Sequence, residues 1–220
     1  MKLAIRYVLF DLDGTLTDPA LGITNCVQYA LEKFHIYPQT REELFPYIGP
    51  PLMYSFMDFH GLSQEQAKQA VKYYRERFSV KGLYENEVFE GIPELLRKLQ
   101  EREVTLIVAT SKPEEFACRI LEYFDLVKYF TFVAGSTLDG QRPEKADVIA
   151  YIRESYPEMT AANTLMIGDR KYDVEGAHEC GLPTVGVLYG YGDRAELETA
   201  KADYIVDSVS GLHELLLGLL

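Results

Sequence analysis

The apolar positions of this chain form short, nearly continuous runs that alternate with segments of helical spacing. The first run, Tyr7–Phe10, is followed by runs rich in β-branched residues that predict strands at Val104–Ala109, Phe130–Ala134, Thr164–Ile167, Pro183–Val187 and Tyr204–Val206. Helical patterns lie at Ile92–Glu101, Pro113–Tyr123, Lys145–Glu154, Val174–Cys180 and Gly211–Leu217. This alternation predicts an α/β fold with a parallel sheet covered on both faces.

One segment, residues 18–89, interrupts the alternation with helical patterns and no clear strand. Asp18-Pro19 predicts an N-cap followed by proline at the first helical position, ahead of a helix over Leu21–Phe34. A capping box at Ser63–Gln66 predicts the start of a long helix that ends near Lys81. The segment is therefore expected to be all helical.

The interruption predicts two domains. Residues 1–17 and 90–220 would form the α/β core, and residues 18–89 would form a helical domain inserted after the first strand. Functional loops extend from strand ends, so an insertion at this point is expected beside the site. Within it, Ile48-Gly49-Pro50-Pro51 cannot form regular helix and predicts a rigid loop.

Charge and cysteine usage narrow the partners and the location. The net charge of −12 argues against nucleic-acid polymers and membrane surfaces, which favour basic patches, but permits a small anionic substrate held by local cations. Three widely spaced cysteines predict reduced thiols in a cytoplasmic protein. The apolar run near the N-terminus is too short for a membrane span and has no cleavage site, so no signal peptide is expected.

Polar side chains follow three of the predicted strands at their carboxyl ends, where open α/β sheets bind ligands. They are Asp11 and Asp13 after the first strand, Thr110 and Ser111 after the second, and Asp169, with Asp173 one turn later, after Thr164–Ile167. Lys145 lies in the stretch after a fourth strand, Phe130–Ala134, and opens a predicted helix. Thr110 is also a candidate N-cap for the helix at Pro113, and Asp173 a candidate helix cap.

The stretch Asp11-Leu12-Asp13-Gly14-Thr15 resembles the nucleophile motif of the haloacid dehalogenase superfamily of phosphotransferases. The other positions match that family's pattern in order and type over essentially the whole chain. The resemblance implies a Rossmann-like parallel sheet core with an inserted all-helical cap. Within the family, Ala109–Glu114 resembles the phosphoglycolate phosphatase group, and Ala134–Gly140 with Lys145–Ile149 resembles a 5′-nucleotidase-like bacterial branch.

The resemblance also implies a role for each candidate residue. Asp11 would be the nucleophile and Asp13 the general acid and base; Thr110 and the Ser111 backbone would bind phosphate. Lys145 would neutralise the charge of the nucleophile and of the phosphoryl oxygens, and Asp173 would orient Lys145 or a metal-bound water. The Mg²⁺ ligands would be Asp11, the Asp13 carbonyl and Asp169. These assignments have a physical reason: a carboxylate that approaches a phosphate is repelled, so a lysine and a hard divalent cation must offset the charge.

The expected activity is Mg²⁺-dependent hydrolysis of a small phosphorylated metabolite, with a nucleoside monophosphate favoured and phosphoglycolate next. In related phosphatases the helical cap closes over the site and selects the leaving group, which makes Gly49, Pro50 and Pro51 the predicted substrate loop. The alternatives are a sugar phosphomutase or a pyrophosphatase on the same fold, or a non-catalytic phosphate-binding regulator. The sequence is compatible with a monomer or a dimer.

Overall fold

The computed structural model describes residues 5–220. Its strands are β1 (Tyr7–Phe10), β2 (Thr17–Asp18), β3 (Glu87–Val88), β4 (Thr105–Pro113), β5 (Phe132–Ser136), β6 (Thr164–Gly168), β7 (Thr184–Val187) and β8 (Tyr204–Val206). Within the described residues, six of them form one parallel sheet in the order β5-β4-β1-β6-β7-β8, and β2 pairs with β3 in a separate ribbon.

The α-helices alternate with these strands through most of the chain. They are α1 (Ala20–Glu32), α2 (Leu52–His60), α3 (Gln64–Arg77), α4 (Ile92–Gln100), α5 (Glu114–Tyr123), α6 (Lys145–Ser155), α7 (Lys171–Glu179), α8 (Arg194–Thr199) and α9 (Val209–Leu219). Short 3₁₀ segments lie at Glu42–Tyr47 and Val127–Tyr129, and a π-helical turn covers Phe78–Gly82. In the described part of the chain, no helix has both the length and the hydropathy needed to cross a bilayer.

The sheet confirms the predicted fold class and explains where the site lies. β1 is central: Phe10 pairs with Val108 of β4 on one side and with Ile167 of β6 on the other. The chain builds outward from β1 through β4 to β5 and then returns to β6 on the opposite side, so the strand order reverses beside β1. Open parallel sheets bind ligands at such a reversal, outside the carboxyl ends of the strands.

The core explains why β1 reads as an unbroken apolar run. Val8, Leu9 and Phe10 are fully buried, because helices cover the sheet on both faces. On one face Leu9 packs in a cluster with Val148 and Ile149 of α6. A rigid β1 holds the residues that directly follow it in a fixed position.

The chain forms two compact units. One contains the residues up to Thr17 together with Val88–Leu220, and the other contains Asp18–Glu87. In the second unit α3 packs against α1 and α2. Arg77, at the end of α3, makes a two-pronged ion pair with Glu85, with nitrogen–oxygen distances of 2.7 and 2.8 Å.

Several local predictions for the helical segment need correction. The predicted capping box of α3 is present, with the Gln66 amide donating to Ser63 Oγ. However, the α-helix ends at Arg77, and the residues up to Gly82 form a π-helical turn rather than a continuation to Lys81. Pro19 occupies the N-cap of α1 rather than its first helical position, while the Asp18 side chain accepts a hydrogen bond from the amide of Ala20.

Strands also appear where none was predicted. β2 and β3 lie at the two ends of the segment that shows no strand pattern. Each is only two residues long, and a pair of residues is too short to show a period of two. β4 likewise extends through Pro113, where a helix was predicted to start, so α5 begins one residue later.

Candidate active site

Asp11 and Lys145 form the centre of the site. Asp11 is the first residue after β1, and its amide donates to the carbonyl of Ile167, which holds its backbone against β6. Lys145 is the first residue of α6 and is almost fully buried. Its Nζ lies 2.8 Å from Asp11 Oδ1 and donates at 2.7 Å to the carbonyl of Ala109. The predicted pair therefore meets directly, although 134 positions separate it in the sequence.

Asp169 and Asp173 complete a cluster of buried carboxylates. One oxygen each of Asp11, Asp169 and Asp173 lies within 4.8 Å of the others. Asp173 Oδ1 is 2.7 Å from Lys145 Nζ, and its Oδ2 accepts a hydrogen bond from the amide of Arg170 at the start of α7. Asp173 is thus a helix cap and also a partner of Lys145, which unites the two possibilities that its sequence position leaves open.

Asp169 lies in a cradle of backbone atoms. A Cβ atom added at Gly14 would lie 2.2 Å from Asp169 Oδ2, and one added at Gly190 would lie 2.4 Å from the Asp169 Cβ atom. Gly14 also has a φ of +83°, which glycine adopts without steric cost. The amide of Tyr191 donates to Asp169 Oδ2 at 2.7 Å. These contacts leave no room for side chains around this carboxylate and fix its orientation.

Asp13 has a partner that the sequence argument missed. Its Oδ2 lies 2.7 Å from Nζ of Lys112, and both side chains are buried. Residues two apart in an extended strand point to the same side, so Lys112 shares a side of the chain with Thr110. This alternation was the signal that would have identified Lys112 as part of the site.

Thr110 and Ser111 lie near the end of β4, beside β1. Thr110 is buried, and its Oγ1 accepts a hydrogen bond from the amide of Lys112. The N-cap of α5 is Pro113, with no side-chain hydrogen bond, so Thr110 does not cap this helix. The carbonyl of Ser111 accepts from Oγ of Ser136, which joins β4 to β5. Thr110 directly follows Ala109, whose carbonyl contacts Lys145.

Burial and like charges change the acidity of these groups. Burial raises the pKa of Asp13, and the ammonium of Lys112 offsets only part of this effect. Burial, with Asp173 and Asp11 nearby, raises the pKa of Asp169 well above its ordinary value. Burial lowers the pKa of Lys145, but the carboxylates of Asp11 and Asp173 raise it by more, so this lysine stays charged.

The donor set fits a hard divalent cation. Within the described residues, the site brings four carboxyl groups, Asp11, Asp13, Asp169 and Asp173, together with two lysines, so two negative charges would be unbalanced if all four were ionised. Asp169 Oδ1 is buried and has no hydrogen-bond partner among residues 5–220. Burial of a carboxylate oxygen without a hydrogen-bond partner is costly, and carboxylate oxygens are the ligands that Mg²⁺ and Ca²⁺ prefer.

The predicted substrate loop lies in the helical unit. Gly49 has a φ of +107°, and Pro51 is the N-cap of α2, so Gly49, Pro50 and Pro51 form an irregular turn as predicted. Their contact with a substrate stays a prediction.

Comparison with known proteins agrees with this geometry. The model of the family described as "Haloacid dehalogenase-like hydrolase" matches residues 8–187. A 5′-nucleotidase from Pseudomonas aeruginosa is 45% identical over 215 residues, which cover 97% of each chain. A crystal structure described as a predicted phosphatase from Clostridium acetobutylicum is 48% identical, has a TM-score of 0.94, and covers 97% of this chain and 99% of its own.

A further relative carries a different name. The tyrosine-protein kinase PtkA of Mycobacterium tuberculosis is 39% identical over 211 residues, which cover 96% of this chain and 71% of the kinase.

Together with the parallel sheet and the paired acids after β1, the matches to the family model, the 5′-nucleotidase and the phosphatase structure define the class of protein. The chain belongs to the haloacid dehalogenase-like hydrolases and is a phosphatase of that family.

Proposed function

We propose that this protein is a Mg²⁺-dependent phosphomonoester hydrolase that acts through an aspartyl-phosphate intermediate. Its substrate would be a small phosphorylated metabolite, with nucleoside monophosphates favoured and phosphoglycolate next. The observation that carries the proposal is the position of Asp11, which directly follows β1. Its carboxylate lies 2.8 Å from the buried ammonium of Lys145. The similarity to a 5′-nucleotidase over 97% of both chains supports the choice of substrate.

In the first step the Asp11 carboxylate attacks phosphorus. An oxygen–phosphorus bond forms to Asp11, and the bond from phosphorus to the leaving oxygen breaks. The carboxyl proton of Asp13 moves to that oxygen, so an alcohol leaves. The raised pKa of Asp13 supports this role because a protonated carboxyl is needed at neutral pH. Lys145 offsets the negative charge of the phosphoryl oxygens, and Thr110 donates a hydrogen bond to one of them.

The second step releases phosphate. The ionised Asp13 takes a proton from a water molecule, and the water oxygen attacks phosphorus. The bond between Asp11 and phosphorus then breaks, which restores the Asp11 carboxylate and the protonated Asp13. Proton transfer by one positioned carboxyl thus serves both halves of the cycle.

The metal would be held by Asp11 and Asp169 together with the backbone carbonyl of Asp13. When bound, Mg²⁺ supplies positive charge that offsets the repulsion between a carboxylate nucleophile and a phosphate. Asp173 is occupied by Lys145 and by the amide of Arg170, so we assign it to orienting Lys145 rather than to the metal. The close approach of Gly14 and Gly190 fixes the orientation of the Asp169 carboxylate that would bind this metal.

Removal of divalent metal is expected to abolish hydrolysis of p-nitrophenyl phosphate, and added Mg²⁺ is expected to restore it. Binding is measured separately by thermal denaturation, since a ligand at about 100 times its Kd stabilises the folded state by about 2.7 kcal/mol. K⁺ at equal ionic strength is the control and should not raise the Tm to the same extent. An undiminished rate in EDTA would remove the metal from the proposal.

A phosphate-release screen is expected to give the highest kcat/KM for a nucleoside monophosphate. The panel contains nucleotides, sugar phosphates, phosphoglycolate and pyrophosphate, with the Asp11→Asn variant as the blank. A preference for pyrophosphate would favour a pyrophosphatase, and isomerisation of a sugar phosphate without release would favour a mutase. Phosphate binding without turnover of any compound would favour a regulator.

We place this reaction in the cytoplasm. The three cysteines are free, and small phosphorylated metabolites are the partners that the charged site can accept. Neither a nucleic-acid polymer nor a membrane surface is expected to bind a chain with a net charge of −12.

A further inference from the structure

Lys112 is a buried ammonium whose function the proposed chemistry does not yet include. Its side chain is only 5% exposed, and its Nζ lies 2.7 Å from Asp13 Oδ2. A lysine is rarely buried to this degree unless a charge pairs with it, because desolvation of the ammonium is costly. Formation of the pair therefore requires the desolvation of both charged groups. One of these groups, Asp13, is the proposed acid and base of the reaction.

The end of β4 directs Lys112 into the site. The pairing of β4 with β5 changes register between Ala109 and Pro113, and such irregularities re-aim side chains next to active sites. On the β5 side, Gly135 lets the backbone approach closely, since a Cβ atom there would lie 2.4 Å from the carbonyl oxygen of Lys112. The Lys112 amide donates to Thr110 Oγ1, which ties its backbone to the predicted phosphate-binding residue.

The two carboxyl oxygens of Asp13 differ in their hydrogen-bond partners. Oδ2 contacts Lys112, whereas Oδ1 is buried and has no hydrogen-bond partner within the described chain. An ammonium group has three donors and no acceptor, and the unprotonated oxygen of a carboxyl group is the stronger acceptor, so the contact with Lys112 disfavours a proton on Oδ2. A proton on Asp13 is therefore favoured on Oδ1, the oxygen that is left for a ligand.

We propose that Lys112 is a positioning residue that holds Oδ2 of Asp13 and thereby assigns proton transfer to Oδ1. The proposal rests on the proposed phosphatase mechanism and extends it. In the first step the proton on Oδ1 passes to the leaving oxygen, and in the second Oδ1 accepts a proton from water, while Lys112 keeps its own protons. Locking the side chain of a catalytic group in this way is a common requirement for efficient proton transfer.

The test uses Lys112→Met with two phosphate monoesters whose leaving groups differ in basicity. p-Nitrophenolate departs without help from an acid, whereas an alkoxide such as that of a nucleoside 5′-phosphate needs a proton. We expect kcat/KM to fall about 10- to 100-fold for the nucleoside monophosphate, within the range for general acid catalysis, and less than about 3-fold for p-nitrophenyl phosphate.

A second readout follows the other half of the cycle. With p-nitrophenyl phosphate, Lys112→Met should form the aspartyl-phosphate at a nearly normal rate but hydrolyse it slowly. A burst of p-nitrophenol equal to the enzyme concentration is therefore expected, together with a lower kcat. Lys112→Arg, which retains a donor, should restore part of the nucleotide activity. Adding Lys112→Met to Asp13→Asn should cause little further loss, because Lys112 would act through Asp13.

The controls separate this role from others. Lys128→Met removes an exposed lysine and should not change either substrate's kinetics. Thermal denaturation shows whether Lys112→Met is folded, and Lys112→Arg is the variant to interpret if it is not. An equal loss of kcat/KM for both substrates would overturn the proposal and indicate direct contact with the phosphoryl group. Failure of the wild-type protein to hydrolyse any monoester would instead contradict the proposed function.

Discussion

Replacement of Asp11 by asparagine is expected to reduce phosphate release by about four orders of magnitude or more, as loss of a nucleophile does in other enzymes. The amide cannot form the phosphoenzyme, while the surrounding contacts of β1 remain. The measurement is the rate of p-nitrophenyl phosphate hydrolysis with Mg²⁺ present. Asp58→Asn changes an exposed aspartate of α2 in the same way and should retain full activity.

The same variant is expected to be at least as stable as the wild-type protein without metal. Asp11 lies with Asp169 and Asp173 in one cluster of acids, so removal of its charge relieves repulsion between buried carboxylates. Lys145 loses the charge of Asp11 but keeps the carboxylate of Asp173 as its partner, so no buried ammonium is left unpaired. Active sites often sacrifice stability for function in this manner. Thermal denaturation in EDTA measures this effect. A large fall in Tm would show that Asp11 is needed for the fold, and the loss of activity would then not identify a nucleophile.

Replacement of Lys145 by methionine is expected to destabilise the metal-free protein by about 3–5 kcal/mol, the usual cost of removing one partner from a buried ion pair. The change leaves the carboxylates of Asp11 and Asp173 without the ammonium that contacts both at 2.8 and 2.7 Å. Hydrolysis should also fall by orders of magnitude, because no ammonium then offsets the phosphoryl charge.

The stability loss in this variant should depend on pH. Burial raises the pKa of Asp173 to about 6, and loss of the Lys145 ammonium should raise it further. In the unfolded state aspartate titrates near its ordinary pKa of about 3.9, so without Lys145 the folded state binds a proton at Asp173 more readily than the unfolded state does. Because the folded state then binds more protons, its stability decreases as pH rises. The penalty should therefore be smaller at about pH 5 than at about pH 8.

Urea denaturation of Lys145→Met at both pH values measures this penalty. Lys98→Met, which changes a surface lysine paired with Glu94 in α4, is the matched control and should change stability by less than about 1 kcal/mol. An unchanged free energy of unfolding for Lys145→Met would mean that the buried ion pairs of Lys145 are absent in solution.

Much of the α/β core was predictable because its signals are local. The apolar runs predicted all six strands of the sheet, and Asp11, Asp13 and Asp169 lie just after the ends of two of them, β1 and β6. Parallel strands end at one edge of the sheet, so the convergence of these acids also follows from the pattern. The π-helical turn after α3 could not be predicted from the pattern, because the apolar residues up to Gly82 have the spacing of an ordinary helix.

Lys112 and the glycines around Asp169 were missed for a different reason. Lys112 resembles a surface lysine before a proline, and although alternation along β4 puts it on the side of Thr110, its ion pair with Asp13 is evident only in the folded chain. Gly190 looks like part of a flexible loop, yet its missing side chain makes room for an acid 21 positions earlier. Contacts between residues distant in sequence carry no periodic signal.

The sequence by itself determined the class of chemistry, because a carboxylate motif at the end of a buried strand is a local arrangement of residue types. It specified Asp11 and Asp13 as neighbours in one turn; the family resemblance implied Lys145 as the partner of Asp11, and no partner was predicted for Asp13. Tertiary structure decided that Asp11 faces Lys145 and Asp13 faces Lys112. The physical reason is that each lysine reaches its aspartate through the packing of another element, α6 for Lys145 and the irregular end of β4 for Lys112.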